Sequence, residues 1–417
     1  ALPPPKPPPA DPAPNSETFP HHFLNYRDDL QHAVPIEAVI AGQVIQNERG
    51  QYFNFEARYP LAAPYGHLPL ANLPSVPMQT IAAITGDDRW PGLTWRDVLF
   101  IDTETTGLEI AAGTVAFLIG VGYLDEADFV VRQVFMRDFN EEQALLQDLR
   151  ALFRRFKAVA SFNGKTFDLP MLENRFVLAR LFSPLFDGPH LDLLHPARRM
   201  WRRRLENCKL ATLEQEILDV SRTQADVPGY FIPSLYRKYL VDHDARPMAG
   251  IFYHNEMDIV SMAALTIALS QHLAGADDAH PVDLLSAGLW QQHLGRPARA
   301  EQSLRAALAA PLPPHLRPPA LTGLAYLLKR QGRPAEAEPL WRELAAQTEY
   351  TAGNLTALEE LAKYYEWQQK DFEAALRHIA RALDSLRAWP PGPQKQQPLA
   401  AWEHRQARVQ KKLRRNR

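Results

Sequence analysis

Three short acidic stretches, each set among apolar residues, constrain this chain more than any other feature of its 417 residues. The first, Asp102-Thr103-Glu104, closes the apolar run Val98-Leu99-Phe100-Ile101. The second is Asp168, shortly after Ser161-Phe162-Asn163-Gly164. The third is His254 with Asp258 one helical turn later. A fold that unites them must hold four carboxylates side by side. Without a matching number of basic partners, such a group stays ionised only around a divalent cation. That arrangement suits metal-assisted cleavage of phosphodiesters.

The chain is too long for one ordinary core, so two domains with linkers are expected. A hydrophobic content of 46% and a charged content of 23% fit a globular protein. No apolar run approaches the ~20 residues of a membrane span, and no membrane partner is expected. The Pro-rich start lacks the charged-then-apolar order of a secretory signal. The single cysteine, Cys208, cannot form an internal disulfide, which favours a reducing cytosol. With a net charge of −2, affinity for nucleic acid has to come from local basic patches. The run Arg198-Arg199-Met200-Trp201-Arg202-Arg203-Arg204 and residues 405–417 are the two available. In the first, either Trp201 is exposed for base stacking or the run is a solvated helix face with Met200 or Trp201 packed inward. The second is either a nucleic-acid contact or a soluble terminus.

Residues 1–33 are rich in proline, then polar, and read as a disordered leader. Residues 34–94 hold a β-hairpin, strands 39–46 and 51–58 around Asn47-Glu48-Arg49-Gly50, and a proline-spaced connector. Residues 95–276 read as α/β. Apolar strands are expected at 98–102, 114–124, 129–136 and 157–162, with a helix over 144–156 capped by Asn140, another from about Asp168, and a last from Tyr253 to about Leu273. Over 277–390 the strand signals vanish. Gly295-Arg-Pro-Ala-Arg-Ala recurs as Gly332-Arg-Pro-Ala-Glu-Ala and again as Lys370-Asp-Phe-Glu-Ala-Ala, which predicts three helical hairpins with a short terminal helix. Residues 391–417 form a basic tail.

Asp102 and Glu104 lie two apart on a strand and share a face. Thr105, Thr106 and Gly107 then permit a sharp turn where a terminal nucleotide can approach. Asp168 is either a helix-start charge favoured by the dipole or a metal-proximal carboxylate, with Asn163, Gly164 and Lys165 facing phosphates. His254 and Asp258 share a helix face. The histidine is either paired with its own aspartate or placed as a base or water-orienting group.

These residues resemble the DEDD, or DnaQ-like, exonucleases of the ribonuclease-H fold. More narrowly, residues 35–275 resemble the YprB-like family of predicted exonucleases. The resemblance rests on Phe100-Ile-Asp-Thr-Glu-Thr-Thr-Gly107, Ser161-Phe-Asn-Gly-Lys-Thr-Phe-Asp168 and Tyr253-His-Asn-Glu-Met-Asp258. It is supported by His190-Leu-Asp-Leu-Leu-His195, Leu210-Ala-Thr-Leu-Glu-Gln-Glu216 and Asp226-Val-Pro-Gly-Tyr230. It implies a mixed five-stranded sheet flanked by helices, followed by an all-α solenoid similar to tetratricopeptide repeats. It also implies Asp102, Glu104, Asp168 and Asp258 as ligands of two Mg²⁺ or Mn²⁺ ions about 3.5–4 Å apart, with Asp102 bridging. The activity implied is 3′–5′ exonucleolysis of DNA or RNA, with an unidentified protein partner on the repeats. A structure-selective endonuclease and an inert scaffold are the alternatives. One departure stands out. The superfamily places a tyrosine four residues, or a histidine five residues, before the last aspartate, whereas here His254 stands at four and Tyr253 at five. His254 is taken as the water-facing residue because its spacing aligns it with Asp258.

Overall fold

A computed structural model describes residues 33–107, 113–223, 226–275, 279–346, 352–388 and 393–416. Residues 1–32 of the Pro-rich leader lie outside the described residues. The chain divides into two compact units. One comprises residues up to Ala63, Leu93–Leu191 and Ser221–Met262; the other comprises Pro64–Gly92, Asp192–Val220 and Ala263–Arg417.

Nine strands are described: β1 (Gln43–Asn47), β2 (Gly50–Pro60), β3 (Pro64–Tyr65), β4 (Leu68–Pro69), β5 (Val98–Thr105), β6 (Ala116–Asp125), β7 (Asp128–Phe135), β8 (Ala158–Ser161) and β9 (His190–Asp192). Seven of them form one mixed sheet in the order β1-β2-β7-β6-β5-β8-β9. This is the ribonuclease-H-like sheet expected from the acidic stretches, with seven strands instead of five. The extra pair is the N-terminal hairpin. Its strand β2 zips antiparallel onto β7 from Phe53↔Phe135 to Pro60↔Asp128, so the hairpin buries its apolar face by extending the sheet.

Strand β5 is central because its residues are apolar on both faces: Val98, Leu99, Phe100 and Ile101 are all buried. It pairs parallel with β8 only from Val98↔Ala158 to Phe100↔Ala160, but antiparallel with β6 as far as Thr105↔Ala116. The last turn of β5, carrying Asp102 and Glu104, therefore overhangs β8. Parallel strands deliver their following loops to the same end of the sheet, so the segment after β8 arrives beside that overhang. Around the sheet pack the helices Glu142–Phe153, Asp168–Leu178, Ile232–Asp242 and the N-terminal part of Met248–Ala274. Helix Glu142–Phe153 is entered through a short 3₁₀ turn capped by Asp138, whose carboxylate accepts from Asn140 N at 3.2 Å. The cap is thus Asp138 rather than Asn140.

Helix Met248–Ala274 is long and apolar enough to cross a bilayer by length and composition, contrary to expectation. Its residues are mostly buried inside the protein, and it carries His254, Asn255 and Asp258, which is the behaviour of a core helix.

Among its described residues the second unit has helices as its regular elements apart from the β3–β4 pairing and the last residue of β9. The recurring Gly-Arg-Pro-Ala turns join helix Pro281–His293 to Pro297–Ala309 and Arg317–Arg330 to Pro334–Ala346, and Lys370 turns the chain before Phe372–Ala388. Gly295, Gly332 and Lys370 all take positive φ (67°, 74° and 55°), so the third unit makes the same left-handed turn with a lysine. The basic C-terminal segment is the helix Pro393–Asn416. Its Arg408 and Lys412 each reach a carboxylate oxygen of buried Glu366 at 2.8 Å. Of the basic run, Met200 and Trp201 pack inward with no exposed surface, and Arg199 lies over the Trp290 ring at 5.0 Å.

Candidate active site

The four acids share one neighbourhood in the first unit. Asp102 and Glu104 emerge half-buried from β5, while Thr103 and Thr105 between and after them are buried. Asp168 opens helix Asp168–Leu178 and is buried. Two features of the preceding turn place it. Asn163 takes φ 68°, and a side chain at Gly164 would press on Ser161 Oγ at 2.6 Å and on Asp168 Oδ2 at 3.2 Å. Glycine there lets the carboxylate approach the strand end.

Their electrostatics record the crowding. Burial raises the Asp102 carboxyl well above the usual range, and Asp258, Glu104 and Asp168 each push it further. Glu104 is driven up to about 8, first by burial and then by Asp258 and Asp168, with His254 and Arg222 opposing. Both groups therefore resist ionisation unless another cation joins them.

Each of the three aspartates is nonetheless held by a partner. Thr103 donates its hydroxyl to Asp168 Oδ1. Arg222 donates to Asp258 Oδ1. Asn255, wholly buried, donates its amide to Asp102 Oδ2 at 2.7 Å. As they stand, no three His, Cys, Asp or Glu side chains among the described residues are arranged to hold one metal ion. The donor set fits Mg²⁺ or Mn²⁺ in chemistry, being all hard oxygen with excess negative charge. Thr103 and Asn255 are both neutral donors, so neither brings a charge that would repel a cation from the carboxylate it holds.

Asn255 owes its place to a row across three strands. Asp102 on β5 faces Gly120 on β6, which faces Gln133 on β7. Asn255 lies over the glycine and links the two ends: its Oδ1 accepts from Gln133 Nε2 at 2.8 Å, and the same nitrogen donates to the Phe252 carbonyl at 2.8 Å. A Cβ at Gly120 would fall 2.0 Å from Asn255 Oδ1, and one at Gly122 would fall 2.4 Å from Ile259 Cγ2. Two residues along a strand and four along a helix advance almost equally, so the two glycines match the two helix positions and let the helix lie against the sheet.

His254 is half-buried. Its Nδ1 lies 2.8 Å from Asp226 Oδ1 and 3.0 Å from Arg222 Nη1. These cannot both be hydrogen bonds to one nitrogen, and Nδ1–H donates to the nearer carboxylate. Nε2 then faces Asp258 Oδ2 at 3.7 Å. Burial works against the imidazolium, but the bond to Asp226 and the charges of Asp258 and Glu104 outweigh it and raise the ring to about 9. Tyr253 turns elsewhere, and its hydroxyl accepts from Thr223 N at 3.1 Å.

Of the positions expected to meet substrate, Asn163 and Lys165 are exposed and Gly164 is buried. Thr105 donates to the Gly107 carbonyl at 2.6 Å, and Thr106 Oγ1 accepts from Val115 N at 3.1 Å, so those hydroxyls shape the turn itself. Arg222 and Gln133 had no place in the sequence expectations, and Asp226 and Asn255 entered only within motifs. One signal was legible: Gly120-Val-Gly122 inside an apolar strand marks a close backbone approach. Nothing local pointed to Arg222.

A family model described as RNase_H superfamily matches residues 99–270. The protein YprB of Bacillus subtilis (strain 168), itself uncharacterized, is 30% identical over 332 residues, covering 79% of each chain. Among solved structures, the family B DNA polymerase of the hyperthermophilic archaeon Pyrobaculum calidifontis aligns at 14% identity with a TM-score of 0.35. That alignment covers 56% of this chain and 29% of the polymerase. A likeness that faint carries no argument.

Proposed function

We propose that this chain, which belongs to the family of YprB and whose residues 99–270 match the RNase_H superfamily, is a divalent-metal-dependent 3′–5′ exonuclease of DNA or RNA. The observation that carries this reading is the convergence of the four acids in one neighbourhood, where burial first, then Asp258 and Asp168, raise both Asp102 and Glu104, and Glu104 also raises Asp102. Such a group is costly to bury without cations. In this reading Asp102, Glu104, Asp168 and Asp258 hold Mg²⁺ or Mn²⁺. Bound there, the ions would polarise a phosphoryl group and acidify water.

The chain's own groups do the remaining work. Asn255 and Thr103 each fix one carboxylate oxygen and so orient Asp102 and Asp168. Asp226 accepts a hydrogen bond from the Nδ1–H of His254 and leaves Nε2 as the nitrogen that would meet the attacking water. The bond to Asp226 and the charges of Asp258 and Glu104 hold His254 protonated and unfit as a base, and neutralising the two acids removes part of that hold. In this reading Asn163 and Lys165, exposed on the turn before Asp168, would meet the substrate backbone. The helical hairpins of the second unit would serve a protein partner. They present a recess of about 600 Å³ lined by Trp341, Tyr364, Trp367 and Arg405 among others.

The test is digestion of end-labelled single- and double-stranded DNA and RNA with Mg²⁺, Mn²⁺ or chelator, by wild type and Asp102→Asn. The expected result is stepwise shortening from the 3′ end by wild type with metal only. Cutting of a closed circle would refute the exonuclease reading, and inertness toward every polymer with both metals would refute the enzyme.

A further inference from the structure

Three of the four acids have a resident partner, and the partners differ in charge. Thr103 and Asn255 are neutral donors. A carboxylate can accept from either with one oxygen and ligate a cation with the other. Arg222 is different. Its side chain is only 9% exposed, it donates to Asp258, and its other arm lies 3.0 Å from His254 Nδ1 and 3.4 Å from Asp226 Oδ1. A positive guanidinium on Asp258 repels any divalent ion brought to the same carboxylate, and poorly screened charges at such range repel strongly. Arg222 in this seat and a cation on Asp258 therefore exclude one another.

We propose that Arg222 is a tethered counter-ion that occupies the cation's place at Asp258 and leaves it for a substrate phosphate, so that metal and nucleic acid load together. A guanidinium fork fits a phosphate as well as a carboxylate. The phosphate attracts Arg222 away from Asp258; the vacated carboxylate takes the ion; the ion in turn keeps Arg222 on the phosphate. Linkage makes the effect reciprocal: whatever phosphate does for metal affinity, metal does for phosphate affinity. The consequence for the protein is a site that stays closed to free metal until a nucleic-acid end arrives. Asp226, within reach of the same guanidinium and of His254, keeps the arm near the site after displacement.

This inference rests on the metal reading above, and the measurement separates the two. Free Mn²⁺ is titrated by its electron paramagnetic resonance signal against full-length wild type, Arg222→Gln and Arg222→Lys, each with and without thymidine 5′-monophosphate. The expected result is that Arg222→Gln binds Mn²⁺ more tightly than wild type, on the order of tenfold, the usual scale of such couplings. Arg222→Lys, which keeps the charge, should stay near wild type. In wild type the nucleotide should tighten Mn²⁺ binding, and in Arg222→Gln that gain should shrink. Equal Mn²⁺ affinity in wild type and Arg222→Gln would overturn the counter-ion role while leaving the metal site standing. No Mn²⁺ binding by any of the three would overturn both. If Arg222→Gln does not fold, the wild-type comparison still decides, since the absence of any nucleotide effect on Mn²⁺ affinity refutes the proposal.

Discussion

The contact between Gly120 and Asn255 is the most sharply testable in the molecule. In Gly120→Ala the new Cβ would fall 2.0 Å from Asn255 Oδ1, 2.8 Å from its Cγ and 3.0 Å from its Nδ2. Against a relaxed carbon contact of about 3.5 Å, the amide must retreat by roughly 1.5 Å. Asn255 is fully buried, so it cannot retreat and keep its partners. The bond to Asp102 at 2.7 Å is worth about 1–3 kcal/mol, depending on the charge of Asp102, and the bond from Gln133 at 2.8 Å about 1 kcal/mol. A total near 2–4 kcal/mol lowers the thermal midpoint by roughly 4–16 °C for a domain of this size. Scanning calorimetry of Gly120→Ala, Asn255→Ala and the double variant tests the geometry. Asn255→Ala removes the obstacle, so adding Gly120→Ala to it should cost less than about 1 kcal/mol, a strongly non-additive cycle. Gly122→Ala, which strikes Ile259 and Phe129 instead, should remain additive with Asn255→Ala. Additive effects at Gly120 and Asn255, or a Gly120→Ala midpoint within ~2 °C of wild type, would show that the helix does not lie against β6 as described.

Three further predictions concern stability. Glu104 rises to about 8 and His254 to about 9 in the folded protein. Groups raised on folding contribute stability that is present below their unfolded values of 4.5 and 6.5 and is lost as pH rises through the folded ones. The metal-free midpoint should therefore fall from about pH 5 to 9, and Glu104→Gln or saturating Mg²⁺ should flatten the fall in a thermal melt across pH. In the second unit, Arg204 Nη1 lies 2.6 Å from Asp283 Oδ2, an acid with no exposed side-chain surface. Arg204→Ala leaves that acid facing His272 Nε2 at 3.6 Å without its guanidinium and should cost about 3–5 kcal/mol by denaturant titration, and Asp283→Asn added to it should recover much of the loss. Lys370→Gly removes a side chain from a φ of 55° and should stabilise by about 0.5–1 kcal/mol, whereas Gly332→Ala at φ 74° should destabilise by a similar amount.

Much of the site was legible because its signals are local. An apolar run closing in Asp-x-Glu is a buried strand with two acids on one face, and His254 with Asp258 is one turn of helix. The repeated Gly-Arg-Pro-Ala turn announced helical hairpins, and the structure placed even the variant turn at Lys370 in the same left-handed conformation. The hairpin at the N-terminal end was also foreseen, but not its pairing with β7, because edge-to-edge pairing depends on which strand edge is left open elsewhere. The same holds for the basic run: its spacing permitted Trp201 to face either way, and packing turned it inward.

What the order of residues determined was on which elements the acids stand and what donor atoms they offer, since periodicity and donor chemistry are properties of neighbouring positions. What only folding settled was who holds each acid: Asn255 on Asp102, Thr103 on Asp168, Arg222 on Asp258. The Asn255 and Arg222 contacts join segments far apart in the chain, and Thr103, adjacent to two of the acids, reaches the third across the sheet end. A hydrogen bond forms wherever two groups come within about 3 Å, and that distance is decided by the sheet and the helix laid over Gly120.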